Sequence, residues 1–301
     1  DLEQIKAHSP LEATTNPSLV LNVVKSKQYD PLIKEAIKYS TSRTQKQRQQ
    51  VSDTISKLCV LIGSSILDVI PGRVSTEIDP RLSFDTQASI RQAKQYIRLY
   101  NQQGFQKDRV LIKLASTWEG IQAAKILESE GIHCNMTLIF NMSQAVAAAN
   151  AGVSLISPFV GRILDWHKKN SKSIISNPAQ DPGVASVRNI FHYYKKFSYK
   201  TQIMGASFRN CDEIVELAGC DLLTIAPKLL SLLDKKRASV EKKLDSQESR
   251  NKNIEKINID EKSFRWLLNA DEMASFNLSD GIRKFAKDSE DLESYIIKYH
   301  L

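Results

Sequence analysis

"RVLIKLAS" (residues 109–116) places a lysine, Lys113, in the middle of what reads as a buried β-strand. An ammonium group among Val110, Leu111, Ile112, Leu114 and Ala115 is costly unless it is paired or neutralised. Strand alternation puts Leu111, Lys113 and Ala115 on one face and Val110, Ile112 and Leu114 on the other. The second face suits packing against helices. The first must face something that accepts a lysine. One such reading is a lysine meant to be neutral because it is a nucleophile, since burial and nearby cations favour a free amine lone pair.

Comparable runs lie on either side. "EATTN" (12–16), "RVSTEI" (73–78), "HCNMTLIF" (133–140), "VSLISPF" (153–159), "TQIMGAS" (201–207) and "DLLTIAP" (221–227) read as strands, each followed by helical sequence. Pro17 opens a helical stretch to about Tyr39, and another covers 44–69. The amphipathic run 86–104 closes at Gly104, a glycine C-cap. Ser116 and Glu119 form the pattern of a capping box, and Ser143 is available to cap the helix after 133–140. The charged stretch 242–262 reads as a surface loop, and 280–301 as a final amphipathic helix. Repeated β-then-α units imply a parallel sheet with helices outside it. Seven strands are one short of a closed (β/α)8 barrel. A doubly wound sheet tolerates seven, but no GxGxxG follows the first strand.

The period of two gathers polar residues on like faces. Ser75, Glu77 and Asp79 lie together, as do Thr14 and Asn16. Asn135 and Thr137 oppose Cys134, Met136 and Leu138; Ser157 follows Val153 and Leu155; Gly205 aligns with Ser207. In a barrel these faces converge on the axis at the C-terminal end, where active sites form. Taken singly, each has a plainer explanation: an edge or snorkelling lysine, a salt-bridged Glu77, satisfied core polars at Asn16, Asn135 and Thr137. Their joint placement favours a site. Arg162 and Arg209 each follow a strand end, and with Ser207 they make an anion clamp, although each alone fits a surface ion pair.

Composition bounds the rest. The chain has 301 residues, of which 42% are hydrophobic and 25% charged. A chain of that size can bury a substantial core. That length suits one large domain or two small ones, and with the β-then-α repeats it is read as a single barrel domain over 1–301 with the final helix packed over the barrel. Cys59, Cys134, Cys211 and Cys220 show no CxxC spacing and read as free thiols in a reducing compartment. No apolar run approaches the roughly 18 residues of a membrane span, and no signal segment opens the chain. The net charge of +8 raises a nucleic-acid question. The excess is dispersed over stretches such as 42–50 and 234–243, which read as solvated helix faces without the interleaved aromatics of a stacking platform. Small phosphorylated metabolites fit the polar constellation better.

"ATTNPS" (13–18), "GRVSTEID" (72–79), "LIKLAST" (111–117), "CNMTLIF" (134–140), "SLISPFVGRILDW" (154–166), "MGASFRN" (204–210) and "LAGCDLLTIAP" (217–227) closely resemble the transaldolase family of class I aldolases, and within it the transaldolase B-like subfamily. The resemblance implies a (β/α)8 TIM-type barrel, no metal or organic cofactor, sugar phosphates as partners, a cytoplasmic location and a homodimer or monomer. By resemblance, Lys113 is the Schiff-base lysine. Glu77 is the acid/base, acting through a water held by Thr137. Asn16, Asn135 and Ser157 hold a dihydroxyacetone fragment, with Thr14 beside them. Arg162, Ser207 and Arg209 form the phosphate site, and Phe159 lines the pocket. Aldolase-like relatives carry tyrosine at that last position, so Phe159 favours transfer over a simple aldolase. A non-catalytic basic binding protein is the reading from a different class. The chain departs from the family at its start. "DLEQIKAHSP" (1–10) resembles the helix after the family's first strand, so that strand and its aspartate would lie upstream of residue 1, and Asp1 is not a match. Either the natural chain is longer, or the eighth strand is absent and the barrel has open edges.

Overall fold

Each strand run is short and ends in a residue suited to start a helix, and this punctuation sets the architecture. The computed structural model describes residues 2–170, 177–236 and 238–300; Asp1 and Leu301 lie outside them. Seven strands are present among these residues: β1 Ala13–Thr14, β2 Val74–Glu77, β3 Val110–Ala115, β4 Cys134–Ile139, β5 Leu155–Pro158, β6 Gln202–Gly205 and β7 Leu222–Leu223. They pair in chain order, all parallel. Helices α1 Leu2–His8 and α2 Pro17–Val24 flank β1, followed by α3 Asp30–Thr41 and α4 Gln47–Leu67. Then come α5 Thr86–Gln102, α6 Trp118–Ser129, α7 Met142–Asn150, α8 Val160–Asn170 and α9 Pro182–Lys196. The series ends with α10 Cys211–Val215, α11 Pro227–Lys235, α12 Ser246–Asn251, α13 Glu261–Ala270 and α14 Glu272–His300.

The sheet curls strongly. Arg73, just before β2, donates from Nη2 to Gln202 Oε1 of β6 at 2.7 Å, spanning three intervening strands. At the other end the Thr14 and Thr224 hydroxyls stand 3.5 Å apart, bringing the free edges of β1 and β7 toward each other. This is a TIM-type α/β fold with seven strands among the described residues. Its interior is layered, as barrel cores are. At the N-terminal end Arg73 pairs with Glu12 at 2.6 Å. Next Leu111, Leu155 and Met204 pack together against Leu222. Two residues further along their strands come Lys113 and Ser157. At the C-terminal mouth Leu138, Phe140, Phe159 and Ala206 meet Leu278, Ile282 and Phe285 of α14. A polar layer is thus enclosed between two apolar ones. The outward face of β3 (Val110, Ile112, Leu114) joins the large core under the helices, as alternation required.

Side-chain caps fix where each helix starts. Asn16 accepts from Leu19 N at 2.9 Å, Asp85 from Ala88 N at 2.8 Å and Asp181 from Gly183 N at 2.7 Å. Two expected caps move by a residue or two. Thr117, not Ser116, caps α6, accepting from Gly120 N at 3.0 Å, while Ser116 Oγ donates to Thr137 O at 2.7 Å. Asn141, not Ser143, caps α7 by accepting from Gln144 N at 3.1 Å. The stretch after Pro17 is two helices rather than one, because the chain turns between Val24 and Asp30. Segment 242–262 is no bare loop: it holds α12, with Leu244 and Ser249 fully buried. Residues 236 and 238–243 lie outside any helix, since α11 stops at Lys235. The last helix begins at Glu272, earlier than the amphipathic pattern indicated.

Candidate active site

β2 and β3 pair with Glu77 opposite Lys113, and β3 and β4 with Lys113 opposite Asn135. Register alone therefore brings three interior polar residues side by side. Lys113 is 5% exposed and donates to Glu77 Oε2 at 2.8 Å and to the Thr15 carbonyl at 3.4 Å. Burial pushes the Glu77 carboxyl up from its ordinary value; the Lys113 ammonium, and more weakly Arg162, oppose this. A chain of hydrogen bonds runs along the neighbouring strands. Ser157 Oγ donates to Asn135 Oδ1 at 2.7 Å, and Asn135 Nδ2 donates to Ser75 Oγ at 3.0 Å. Ser75 therefore holds Asn135 from the opposite side. Thr137 lies between Ala115 and Ser157 on the same face, and its buried hydroxyl has no hydrogen-bond partner among the described residues. A cavity of about 50 Å³ adjoins Glu77, lined in part by Thr15, Asn16, Asp79, Tyr96 and Ser289. That is room for water beside the carboxyl.

The rim is cationic. α8 starts directly against the loop after β6, with Val160 N donating to Ala206 O and Gly161 N to Ser207 O at 2.9 and 3.0 Å. A Cβ at Gly161 would stand 2.4 Å from Ser207 O and 2.6 Å from Arg209 Cγ, so only glycine permits this approach. Arg162 is thereby set near Arg209, and burial first, with the Arg209 charge second, holds the Arg162 guanidinium below its ordinary range. Arg209 donates to Ser207 O at 3.1 Å and to Asp165 Oδ2 at 2.7 and 2.9 Å. Phe159 packs edge-on against Phe140, with ring centroids 5.7 Å apart, and carries Arg162 over its face.

The structure corrects three facial assignments. Asp79 lies past the end of β2; its carboxylate caps the following turn at Arg81 N and pairs with Arg81 instead of facing inward. Leu138 turns into the mouth cluster rather than outward with Met136. The ladder shifts register at this point, and Leu138 takes a left-handed backbone (φ 57°). In β6 the inward residues are Gln202 and Met204, not Gly205; Ser207 reaches the rim through its own left-handed conformation (φ 62°). Asn16 and Thr14 are where the pattern put them, although Asn16 Oδ1 is committed to the α2 cap. Spacing alone did not reveal Ser75 as a partner of Asn135, Asp165 on Arg209, or the mouth-facing residues of α14. Asp165 sits in "GRILDW" (161–166), where nothing in the pattern pointed to the loop after β6.

The fold and site together define a TIM-type barrel with a buried lysine–glutamate pair in its axis and an arginine-lined mouth. The sequence matches the family described as Transaldolase/Fructose-6-phosphate aldolase over residues 1–296. It is 57% identical over 296 residues to a protein of Protochlamydia amoebophila named Transaldolase, covering 98% of this chain and 92% of that one. It is 56% identical over 294 residues to the human protein named Transaldolase (97% and 87% covered), and 55% over 300 residues to a Drosophila melanogaster protein named Probable transaldolase (99% and 91%). The chain belongs to the transaldolase/fructose-6-phosphate aldolase family.

Proposed function

We propose that this chain is a transaldolase, a transferase that carries a dihydroxyacetone unit between sugar phosphates through a Schiff base on Lys113. The observation that carries the reading is the buried contact of Lys113 with Glu77 at 2.8 Å, inside a polar layer sealed above and below by apolar side chains. Attack on a carbonyl needs an amine without its extra proton. The pair can meet that need internally. Glu77 stands within hydrogen-bond distance to take that proton, and burial, which pushes its carboxyl up, makes it a better base.

Neutral Lys113 then adds to the C2 carbonyl of a ketose phosphate. Glu77, through a water held by Thr137, supplies the proton with which the C2 hydroxyl leaves, giving the iminium. The iminium accepts the electrons of the C3–C4 bond once the C4 hydroxyl is deprotonated, and an aldose phosphate departs. The enamine left on Lys113 keeps its two hydroxyls against Asn16, Asn135 and Ser157, then adds to the aldehyde of the next aldose phosphate. Arg162, Ser207 and Arg209 hold the phosphate of donor and acceptor in turn. The donors are sedoheptulose 7-phosphate or fructose 6-phosphate and the acceptors glyceraldehyde 3-phosphate or erythrose 4-phosphate, the traffic of the non-oxidative pentose phosphate pathway. Buried free thiols at Cys59, Cys134 and Cys211 suit a reducing cytoplasm.

Phe159 places no hydroxyl beside the enamine, which favours transfer over release. Incubation with fructose 6-phosphate, with and without erythrose 4-phosphate, tests this. Sedoheptulose 7-phosphate should form with the acceptor, and little free dihydroxyacetone without it. Rapid dihydroxyacetone release without acceptor would make the chain a lyase, and no turnover of either kind would leave it a binding protein.

A further inference from the structure

The C-terminal helix meets the cationic rim along one stripe. Asn277, Gly281 and Phe285 recur every fourth residue of α14 and so share a face. Two of the three touch Arg162. Its guanidinium carbon lies 5.4 Å from the Phe285 ring centroid and 5.0 Å from that of Phe159. The cation is thus held between two aromatic faces. A Cβ at Gly281 would come within 3.0 Å of Arg162 Nη1 and 2.7 Å of Leu138 Cδ2, so the bare glycine lets the helix backbone close on the guanidinium.

Asn277 sits one turn before Gly281 on this stripe. It is 6% exposed, and its buried Nδ2 has no hydrogen-bond partner among the described residues; Arg162 Nη1 is likewise buried and unpartnered among them. Leaving such donors unpaired forfeits their solvation without return, which a core with no further purpose avoids. The nearby carboxylates are engaged elsewhere: Asp280 with Lys284 at 2.8 Å, Asp165 with Arg209. Two orphaned donors, one on Arg162 and one on the α14 face that covers it, call for an acceptor that is anionic and carries several oxygens.

We propose that Asn277 is a substrate-binding residue whose side-chain amide donates to the phosphate held by Arg162, making α14 a wall of the sugar-phosphate site. This rests on the sugar-phosphate reading above and adds a donor to it from outside the barrel strands. Phe285 and Gly281 act through Arg162 as positioning residues.

The test uses inorganic phosphate as competitive inhibitor, fructose 6-phosphate as substrate, and borohydride trapping of unphosphorylated dihydroxyacetone as a readout blind to phosphate. Asn277→Asp keeps the side-chain size and sets a carboxylate against the phosphate. It should raise both the phosphate inhibition constant and the fructose 6-phosphate KM by about tenfold or more, the scale of a lost charge-assisted hydrogen bond. Asn277→Ala should raise both by about threefold or more, with kcat within about twofold of wild type. Trapping of dihydroxyacetone should stay at the wild-type rate in both. If phosphate inhibits both variants as it does wild type, the amide only packs and the proposal fails; a kcat loss at unchanged phosphate affinity has the same meaning. If Asn277→Asp does not fold, the alanine variant decides alone. Wild type that binds no phosphate at all would overturn the proposal together with the sugar-phosphate reading, whereas wild type that binds it beside unaffected variants would overturn the proposal alone.

Discussion

An ammonium at Lys113 and a carboxylate at Glu77 would each be strongly penalised in a dry interior. Their contact at 2.8 Å is what makes either one tolerable there. An acid whose pKa is raised keeps its proton as pH climbs past its ordinary value, here 4.5. Below that raised value Glu77 is already protonated and cannot take the lysine's proton. The kcat/KM of the enzyme should therefore fall on the acid side with a midpoint above 4.5. Glu77→Gln should lower kcat by about 10²- to 10⁴-fold, the usual worth of a positioned acid/base, and should abolish that acid limb. An unchanged limb in the variant, seen in a pH–rate profile, would remove Glu77 from the role. These residues were legible because strand alternation is rigid: Lys113, Glu77, Asn135, Thr137 and Ser157 each fell on the interior face by counting twos. Ser207 and Leu138 were not. Both take left-handed backbones without a glycine to announce it, so counting assigned Leu138 to the wrong face and aligned Ser207 with Gly205.

Among the elements, the junction of α8 with the loop after β6 decides where the rim cations stand. At Gly161 the backbones come close, with Ser207 O 2.4 Å from where a Cβ would sit. Backbone cannot yield as a flexible side chain can. Gly161→Ala should part helix and loop, lower stability by about 1–3 kcal/mol as overpacking does, and raise KM for phosphorylated substrates by about tenfold or more through displaced arginines. Steady-state kinetics beside a thermal melt would check it, and a wild-type KM would mean the junction does not set the clamp. Pro17 marked the start of α2, whereas the two side-chain caps read from the sequence, Ser116 and Ser143, each gave way to a neighbour. Those missed, at Thr117 and Asn141, had two eligible residues within three positions, and only tertiary contacts such as Ser116 to the Thr137 carbonyl decide between them. Helices α12 and α13 escaped notice because their surroundings are charged and their burial depends on distant partners: His192 Nδ1 lies 2.9 Å from Ser249 Oγ, and Arg265 pairs with Glu119 at 2.5 Å.

At the scale of the whole molecule, the seven parallel strands among the described residues, paired in chain order, turn a set of locally ordinary residues into one site, because the curl points every inward side chain at a common axis. That much followed from repeated β-then-α units. A final helix packed over the barrel was expected; which of its residues meet the mouth was not legible, since amphipathicity tells which face of a helix is covered and not by what. Helix α14 packs Leu278, Ile282 and Phe285 into the mouth cluster, and Arg81 donates to Glu293 at 2.5 Å beside it. The layered interior, the latched helix and the arginine rim all serve one buried amine. Adding sodium borohydride to the protein with fructose 6-phosphate, then mapping the product by peptide mass spectrometry, tests that amine directly. The expected result is a reduced three-carbon adduct on Lys113; no adduct, or one on any other lysine, would contradict it.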